Sequence, residues 1–192
     1  MTKTFCLLLA ALAGAPIAVF AQETAAPPAN PITASEKGFY TLVSGEVVAA
    51  AEKMPEENYS FKPTPDVRSF GQLVGHVADA QYGMCSIAMG EQSPMMKGIE
   101  KTKTTKADLV AALKDAVAYC NKAFSTMTDA QAAQIVQFMN YHVAKITVLS
   151  VNTAHTDEHY GNMVTYLRLK GIVPPSSERP SARPAQSSGG ER

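Results

Sequence analysis

Two histidines, His155 and His159, stand four residues apart in a long apolar-periodic stretch near the C-terminal end of the chain. In a helix their rings lie about 40° apart around the axis and about 6 Å along it, close enough to converge on one cation from a single face. Val148, Asn152, Asn162 and Tyr166 share that face, which aims the pair at a core with polar neighbours above and below. Two imidazoles so spaced are a common pattern, and a third donor is needed before they indicate a metal site. His76 is the candidate. It lies at the edge of an apolar arc centred on Leu73, Val77 and Met84, with Gln72 and Asp79 on its polar side. Three neutral imidazoles on one divalent ion leave coordination positions for water or substrate, as a catalytic site requires. Zinc, nickel, cobalt, copper and iron all suit such a set. His142 faces about 140° away from His155 on a continuous helix and is read as structural or surface.

Around these ligands, Asp79, Glu158 and Tyr82 are candidates for proton transfer, although Tyr82 points away from His76 on an ideal helix. His155-Thr-Asp-Glu158-His159 also fits the H-x-x-E-H pattern of inverted zinc proteases, with Glu158 as general base. That class takes its third ligand from a carboxylate far downstream, and only 33 residues follow His159. A di-iron bundle needs paired Glu-x-x-His motifs, and none of the four histidines has Glu three residues before it.

The elements that must position these residues are helical. Phe39, Leu42, Val43, Val47, Ala50 and Met54 form one stripe, with Ser35 as its N-cap and Pro55 beyond its end. Prolines exclude helix from Tyr59 to Asp66. A second helix starts at Ser69 and carries Phe70, Leu73, Val77, Ala80, Met84 and Ile87 to about Met89. Residues 90–104 read as loop. Thr105 opens a third helix, helped by Asp108, with Leu109, Leu113, Ala116, Cys120, Phe124 and Met127 as its stripe. Thr128-Asp-Ala-Gln131 is a capping box for a short helical piece. A fourth helix is expected from Tyr141 to Lys170, ended by Gly171 with Pro174 and Pro175 beyond. No segment alternates convincingly with period two. The fold class is therefore all-α, a four-helix bundle over residues 33–173.

The ends read differently. Residues 1–21 carry Lys3, an apolar run from Phe5 to Phe20 and the small residue Ala21, the pattern of a cleaved secretory signal peptide. The run is shorter than the roughly 20 residues a membrane span needs, and no later segment is long and apolar enough. Residues 22–32 form a proline-broken linker, and 174–192 a Pro/Ser/Gly/Arg tail expected to be disordered. Periplasmic or secreted localisation follows. Without Lys3 the balance is 16 basic against 17 acidic residues, which gives no reason to expect nucleic acid or an anionic membrane as partner. Cys85 and Cys120 sit in apolar helical patterns. They could pair in an oxidising compartment, but are read here as two buried small hydrophobes. A small bundle could also pair with a second copy, though no exposed stripe stands out.

Two blocks, Phe61-Lys-Pro-Thr-Pro-Asp-Val-Arg-Ser-Phe-Gly-Gln-Leu-Val-Gly-His76 and His155-Thr-Asp-Glu-His159-Tyr-Gly-Asn-Met-Val-Thr-Tyr-Leu-Arg-Leu-Lys-Gly171-Ile-Val-Pro-Pro175, together resemble the DinB-like (DinB/YfiT) superfamily. The resemblance implies a four-helix bundle with a long crossover and a zinc, nickel or similar metal site on His76, His155 and His159. It also implies kinship with thiol-cofactor-dependent transferases and isomerases. The position after His159-Tyr-Gly, commonly Gln in that superfamily, is Asn162, a change expected to alter a contact behind the ligands. The functional expectation is an exported metal-dependent hydrolase or transferase acting on a small molecule. The alternative is a non-catalytic extracytoplasmic protein that binds metal or a small ligand.

Overall fold

A computed structural model describes residues 28–95 and 98–178. The expected signal peptide, residues 22–27 of the expected linker and residues 179–192 of the expected tail lie outside the described residues. Four long helices make the bundle: α1 (Pro31–Lys53), α2 (Phe70–Met89), α4 (Lys106–Thr126) and α6 (Lys145–Leu169), with short helices α3 (Ile99–Thr102) and α5 (Asp129–Ala132) in the connections. Helices α1 and α2 each pack against both α4 and α6. They therefore face each other across a diagonal, which the chain traverses through residues 54–69.

The helix ends follow local chemistry closely where that chemistry is local. Ser69 accepts from Gln72 N while the Gln72 side chain accepts from Ser69 N, and Thr128 and Gln131 repeat that reciprocal box at α5. Thr105 accepts from Asp108 N at the head of α4. At the end of α6, Gly171 adopts φ 70°, which lets Gly171 N reach Arg168 O and Ile172 N reach Leu167 O.

Three expectations need correction. First, α1 begins at Pro31, not at Ser35, whose hydroxyl donates back to Pro31 O inside the helix. Proline is tolerated at that first position, and the cap comes from afar. The Asp129 carboxylate accepts from Ile32 N at 3.1 Å and Thr33 N at 2.9 Å. The α1 stripe is also rotated: Phe39 and Leu42 are exposed, while Tyr40 is fully buried and stacks on Phe124. Second, the chain before α6 is a β-hairpin rather than helix, β1 (Ile135–Phe138) antiparallel to β2 (Tyr141–Ala144), with Phe138 opposite Tyr141. Its β-branched and aromatic residues favour strand, and it is held to α6 where Lys145 N donates to Gln134 O. His142 is exposed on β2, in keeping with a surface role. Third, Cys85 and Cys120 form a disulfide between α2 and α4, with Cα atoms 5.3 Å apart. Both sulfurs are buried in one apolar cluster with Tyr40, Phe124, Val148 and Leu149. Of the expected tail, Pro174 to Glu178 is docked, with Ser176 N donating to Tyr160 OH.

Beneath the His155 turn runs a buried polar layer. Gln81 Oε1 accepts from Tyr40 OH and from Asn152 Nδ2, and Gln81 Nε2 donates to Thr156 Oγ1 at 2.9 Å. The layer ties α1, α2 and α6 together directly below the histidines.

The disulfide closes a loop with a sequence separation of 35. Chain-entropy reasoning then gives about 4 kcal/mol of stabilisation. Chemical denaturation of chain lacking residues 1–21, with and without reductant, should show a loss of that order. The unreduced, denatured protein should titrate no free thiol, and two thiols per chain would contradict the cross-link.

Candidate metal centre

Helix α2 presents His76 toward α6, and α6 presents His155 and His159 toward α2. The three imidazoles meet where the two helices pack. His155 Nε2 lies 3.2 Å from His76 Nε2 and 3.1 Å from His159 Nε2. One donor atom from each ring can be chosen so that all lie within 4.8 Å of one another. The rings are inclined rather than stacked: His76 and His159 are perpendicular, and His155 and His159 stand at 78°.

That crowding is a test of what the site can hold. An imidazole nitrogen offers in its plane either one N–H or one lone pair. His155 Nε2 has two imidazole nitrogens at hydrogen-bond distance, and a neutral network can satisfy only one of them. A cation accepts all three lone pairs at once. With metal–nitrogen bonds of about 2.0–2.1 Å, cis ligands sit about 2.8–3.0 Å apart in octahedral and about 3.3–3.4 Å apart in tetrahedral geometry, and both contacts fall between these limits. The donor set therefore fits a divalent ion.

Electrostatics points the same way. Burial pushes His159 down to about 4, and the neighbouring His155 and His76 rings and Arg68 push in the same direction, against Glu100. His155 is lowered chiefly by burial and next by His76, with Glu158 opposing and Arg68 reinforcing. Both rings are thus neutral at neutral pH, with lone pairs available for ligation.

Behind the ligands stand groups that the sequence reading did not assign. Glu100, on α3 in the stretch read as loop, places Oε2 3.3 Å from His76 Nδ1, and its Oε1 accepts from Arg68 Nε at 3.0 Å. A carboxylate on Nδ1–H fixes the tautomer that leaves Nε2 free as donor. Its position is built by α2 itself. Asp79 Oδ1 accepts from Ile99 N at 2.6 Å and Oδ2 from Glu100 N at 3.0 Å, clamping the first turn of α3. At Gly75 a Cβ would meet Glu100 Cα at 2.7 Å, so only glycine lets α3 lie this close to α2. A glycine inside an apolar helical run is a sign of close backbone approach. It marks where a neighbour lies, without saying that the neighbour brings a carboxylate.

The proton-transfer candidates fare unequally. Asp79 has both oxygens engaged by backbone N–H groups and acts as the clamp for α3. Glu158 is exposed on α6. Tyr82 packs against Tyr119 in the core, its ring centroid 5.3 Å away. On the third ligand, the Asn162 amide stands 3.3 Å from His159 Nδ1, the contact behind the ligands that the Asn for Gln change was expected to affect. Which amide atom faces the ring follows from the tautomer. If Nε2 ligates, Nδ1 carries the proton and Asn162 Oδ1 is the partner. Among the described residues, His155 Nδ1 is buried with no partner.

Comparison with known proteins agrees with this architecture. A family model described as the DinB superfamily matches residues 39–163. Among solved structures, a DinB-like protein from Bacillus cereus superimposes with a TM-score of 0.65 at 15% identity, covering 74% of this chain and 95% of that one. A DinB-like protein from Bacillus subtilis gives 0.62 at 23% identity, covering 76% and 99%. A mycothiol-dependent maleylpyruvate isomerase gives 0.59 at 14% identity, covering 68% of this chain and 60% of its own. Likeness at such identities speaks to the fold alone. No curated protein sequence matches. With the family match spanning most of the bundle and both histidine-bearing helices, the chain belongs to the DinB superfamily.

Proposed function

We propose that the protein is an exported metal-dependent hydrolase or transferase, with one divalent ion held by His76, His155 and His159. The observation that carries this reading is the double contact of His155 Nε2, which a cation satisfies and a hydrogen-bond network does not. The ion, when bound, supplies Lewis acidity to a water molecule or a substrate oxygen. The remaining chemistry belongs to the chain. Glu100 holds the His76 Nδ1 proton and so keeps Nε2 as a donor. Arg68 draws Glu100 by its other oxygen and holds the carboxylate in that position. Burial keeps His155 and His159 neutral. Glu100 is also the carboxylate in contact with the triad, and with Oε1 on Arg68 and Oε2 on His76 it acts as a positioning group; Asp79, bound to backbone, and Glu158, out in solvent, are poorly placed for proton transfer as well.

Three imidazoles with an open side favour zinc or nickel over the oxygen-ligated cations. Export is supported by the signal-like first 21 residues and by a disulfide of the kind that persists in oxidising compartments. Among the described residues no helix is long and apolar enough to cross a membrane.

Elemental analysis of untagged protein should find one divalent ion per chain, and His159→Ala should lose it. Chelation should leave helical circular dichroism intact, because apolar clusters and a disulfide already hold the bundle; a large loss of ellipticity would make the ion structural. A panel of ester, amide and phosphoester substrates should show turnover that His159→Ala abolishes. Metal without any turnover would leave binding of metal or a small ligand as the function.

Glu100→Gln and Gly75→Ala act behind the ligands. Each should weaken metal affinity by roughly 10- to 100-fold while leaving the fold intact, as loss of an outer partner typically does. Competition with a chromophoric chelator measures this, and wild-type affinity in both variants would remove Glu100 from the site.

In metal-free protein, unfolded His159 takes a proton near its ordinary value of about 6.5, whereas folded His159 resists until about 4. Stability should therefore fall as pH drops from about 6.5 toward 4, with no contribution from this group above that window, where it is neutral in both states. Urea midpoints at pH 7.5, 6 and 5 should show a shallower decline in His159→Gln than in wild type. Parallel declines would mean that His159 is not held neutral.

A further inference from the structure

One cavity borders the triad at His159 and a second lies on the far side of Glu100. One, of about 580 Å³, lies between the 62–68 loop and α6 and is bordered by His159, Asn162 and Tyr166. The other, of about 670 Å³, runs past the first turn of α2 toward residues 100–104. Lys62, Gln72 and Glu100 line both. Lys62 and Arg68 border the first cavity with Asp66 and Glu100, and Lys62, Lys101 and Lys103 border the second with Glu100. Glu100 is already committed to Arg68 and His76.

The cations nearest the triad are available. Arg68 uses Nε for Glu100, and among the described residues its two terminal nitrogens have no partner. Lys62 has none either. The wall that carries them is fixed. Pro63 and Pro65 lock their backbone φ, Tyr166 OH donates to Arg68 O at 2.6 Å, and Phe70 N donates to Phe61 O at 3.1 Å. Tyr166 is on the same α6 face as His159, so the Arg68 backbone is tied to the helix that carries two of the histidines. Arg68 is also near enough for its charge to act on both His155 and His159. Leu73, Val67 and Pro65 give the same cavity an apolar side.

We propose that this cleft receives a small organic anion, its carboxylate or phosphate oxygens read by the Arg68 fork with Lys62 as second charge, and its reactive part directed to the triad. The proposal rests on the metal reading above, and it names the substrate class for that site. A planar guanidinium whose edge of two terminal nitrogens is free matches either oxyanion.

Calorimetric titration tests it on zinc-loaded and on metal-free protein, with succinate, phenyl phosphate and neutral succinamide as probes. At least one anion should bind, with succinamide about tenfold weaker or more, the cost expected when a charged hydrogen bond is lost. The tighter of the two anions identifies the head group. Arg68→Lys and Lys62→Met should each lower anion affinity by about tenfold on the metal-free protein, and Lys62→Met should do so with metal content and melting temperature unchanged. Equal binding of anion and amide, no binding of either anion, or anion binding indifferent to both substitutions would overturn the proposal, the last because it would reflect direct coordination to zinc. The two failures are separable. Protein that takes up no zinc removes the metal reading, and the metal-free titration still decides whether Arg68 and Lys62 select an anion.

Discussion

Bringing two imidazole nitrogens to within 3.1–3.2 Å of a third is unfavourable unless something positive sits among them. Each nitrogen leaves bulk water and turns a lone pair toward its neighbours, and at most one of the contacts at His155 Nε2 is a hydrogen bond. The arrangement persists only because the rings are mounted on helices that are fixed independently. Helix α2 is pinned at its start by the Ser69–Gln72 box and along its length by Phe70, Leu73, Val74 and Val77 in the core. Helix α6 is pinned on the other side of the site by Met163, Tyr166 and Leu167. The polar layer of Gln81, Asn152 and Thr156 bonds the two helices directly below the rings. A site held in this way is ready for a cation before the cation arrives, which reduces the reorganisation that binding would otherwise require.

Orientation of the rings is a separate problem from their position. Helical spacing puts His155 and His159 on one face, but a ring can still turn about its χ2 and present either nitrogen. Glu100 settles this for His76 and the Asn162 amide does so for His159. The first of these devices is assembled from three α2 features within a turn and a half: Gly75 lets α3 in, His76 is the ligand, and Asp79 holds the α3 backbone. Asp79 thus serves the centre through Glu100 and not through its own proton chemistry.

Much of this was legible in the sequence because it depends on spacing within one element. The HxxxH face of α6, the edge position of His76, the limits of α2, the capping boxes and the Gly171 stop all follow from residues a turn or two apart. What escaped depends on residues far apart in the chain. The start of α1 is set by Asp129, almost a hundred positions away, so Ser35 looked like the better cap. The Cys85–Cys120 bond needs the relative rotation of α2 and α4, which neither helix encodes alone. Glu100 lies on a helix of one turn, too short for any periodicity to mark, and reaches His76 only through a tertiary contact. The hairpin before α6 has strands of four residues each, and its apolar positions merge with the helical stripe that follows. In each case the missing information was the position of a neighbour.

The placement of the disulfide follows from what α6 gives up to host the centre. Asn152, Thr153, Thr156 and His159 are all buried on α6, positions where an ordinary bundle helix would bury Leu or Ile. Polar groups so buried contribute specificity more than net stability, since their hydrogen bonds mostly replace those made with water. The contact between α2 and α6 around the histidines is therefore partly polar, and α2 is anchored from elsewhere as well. Helix α4 supplies that anchor from the other side of α2. It contributes Leu109, Leu113, Ala116, Ala123 and Phe124 as an almost wholly apolar buried face, and it carries Cys120. Cross-linking Cys85 to Cys120 fixes α2 against a helix that carries none of the three histidines. The bundle thereby separates the bond that stabilises it from the polar interface that does its chemistry, and substitutions around the histidines can change ligand affinity without releasing α2 from its place in the core.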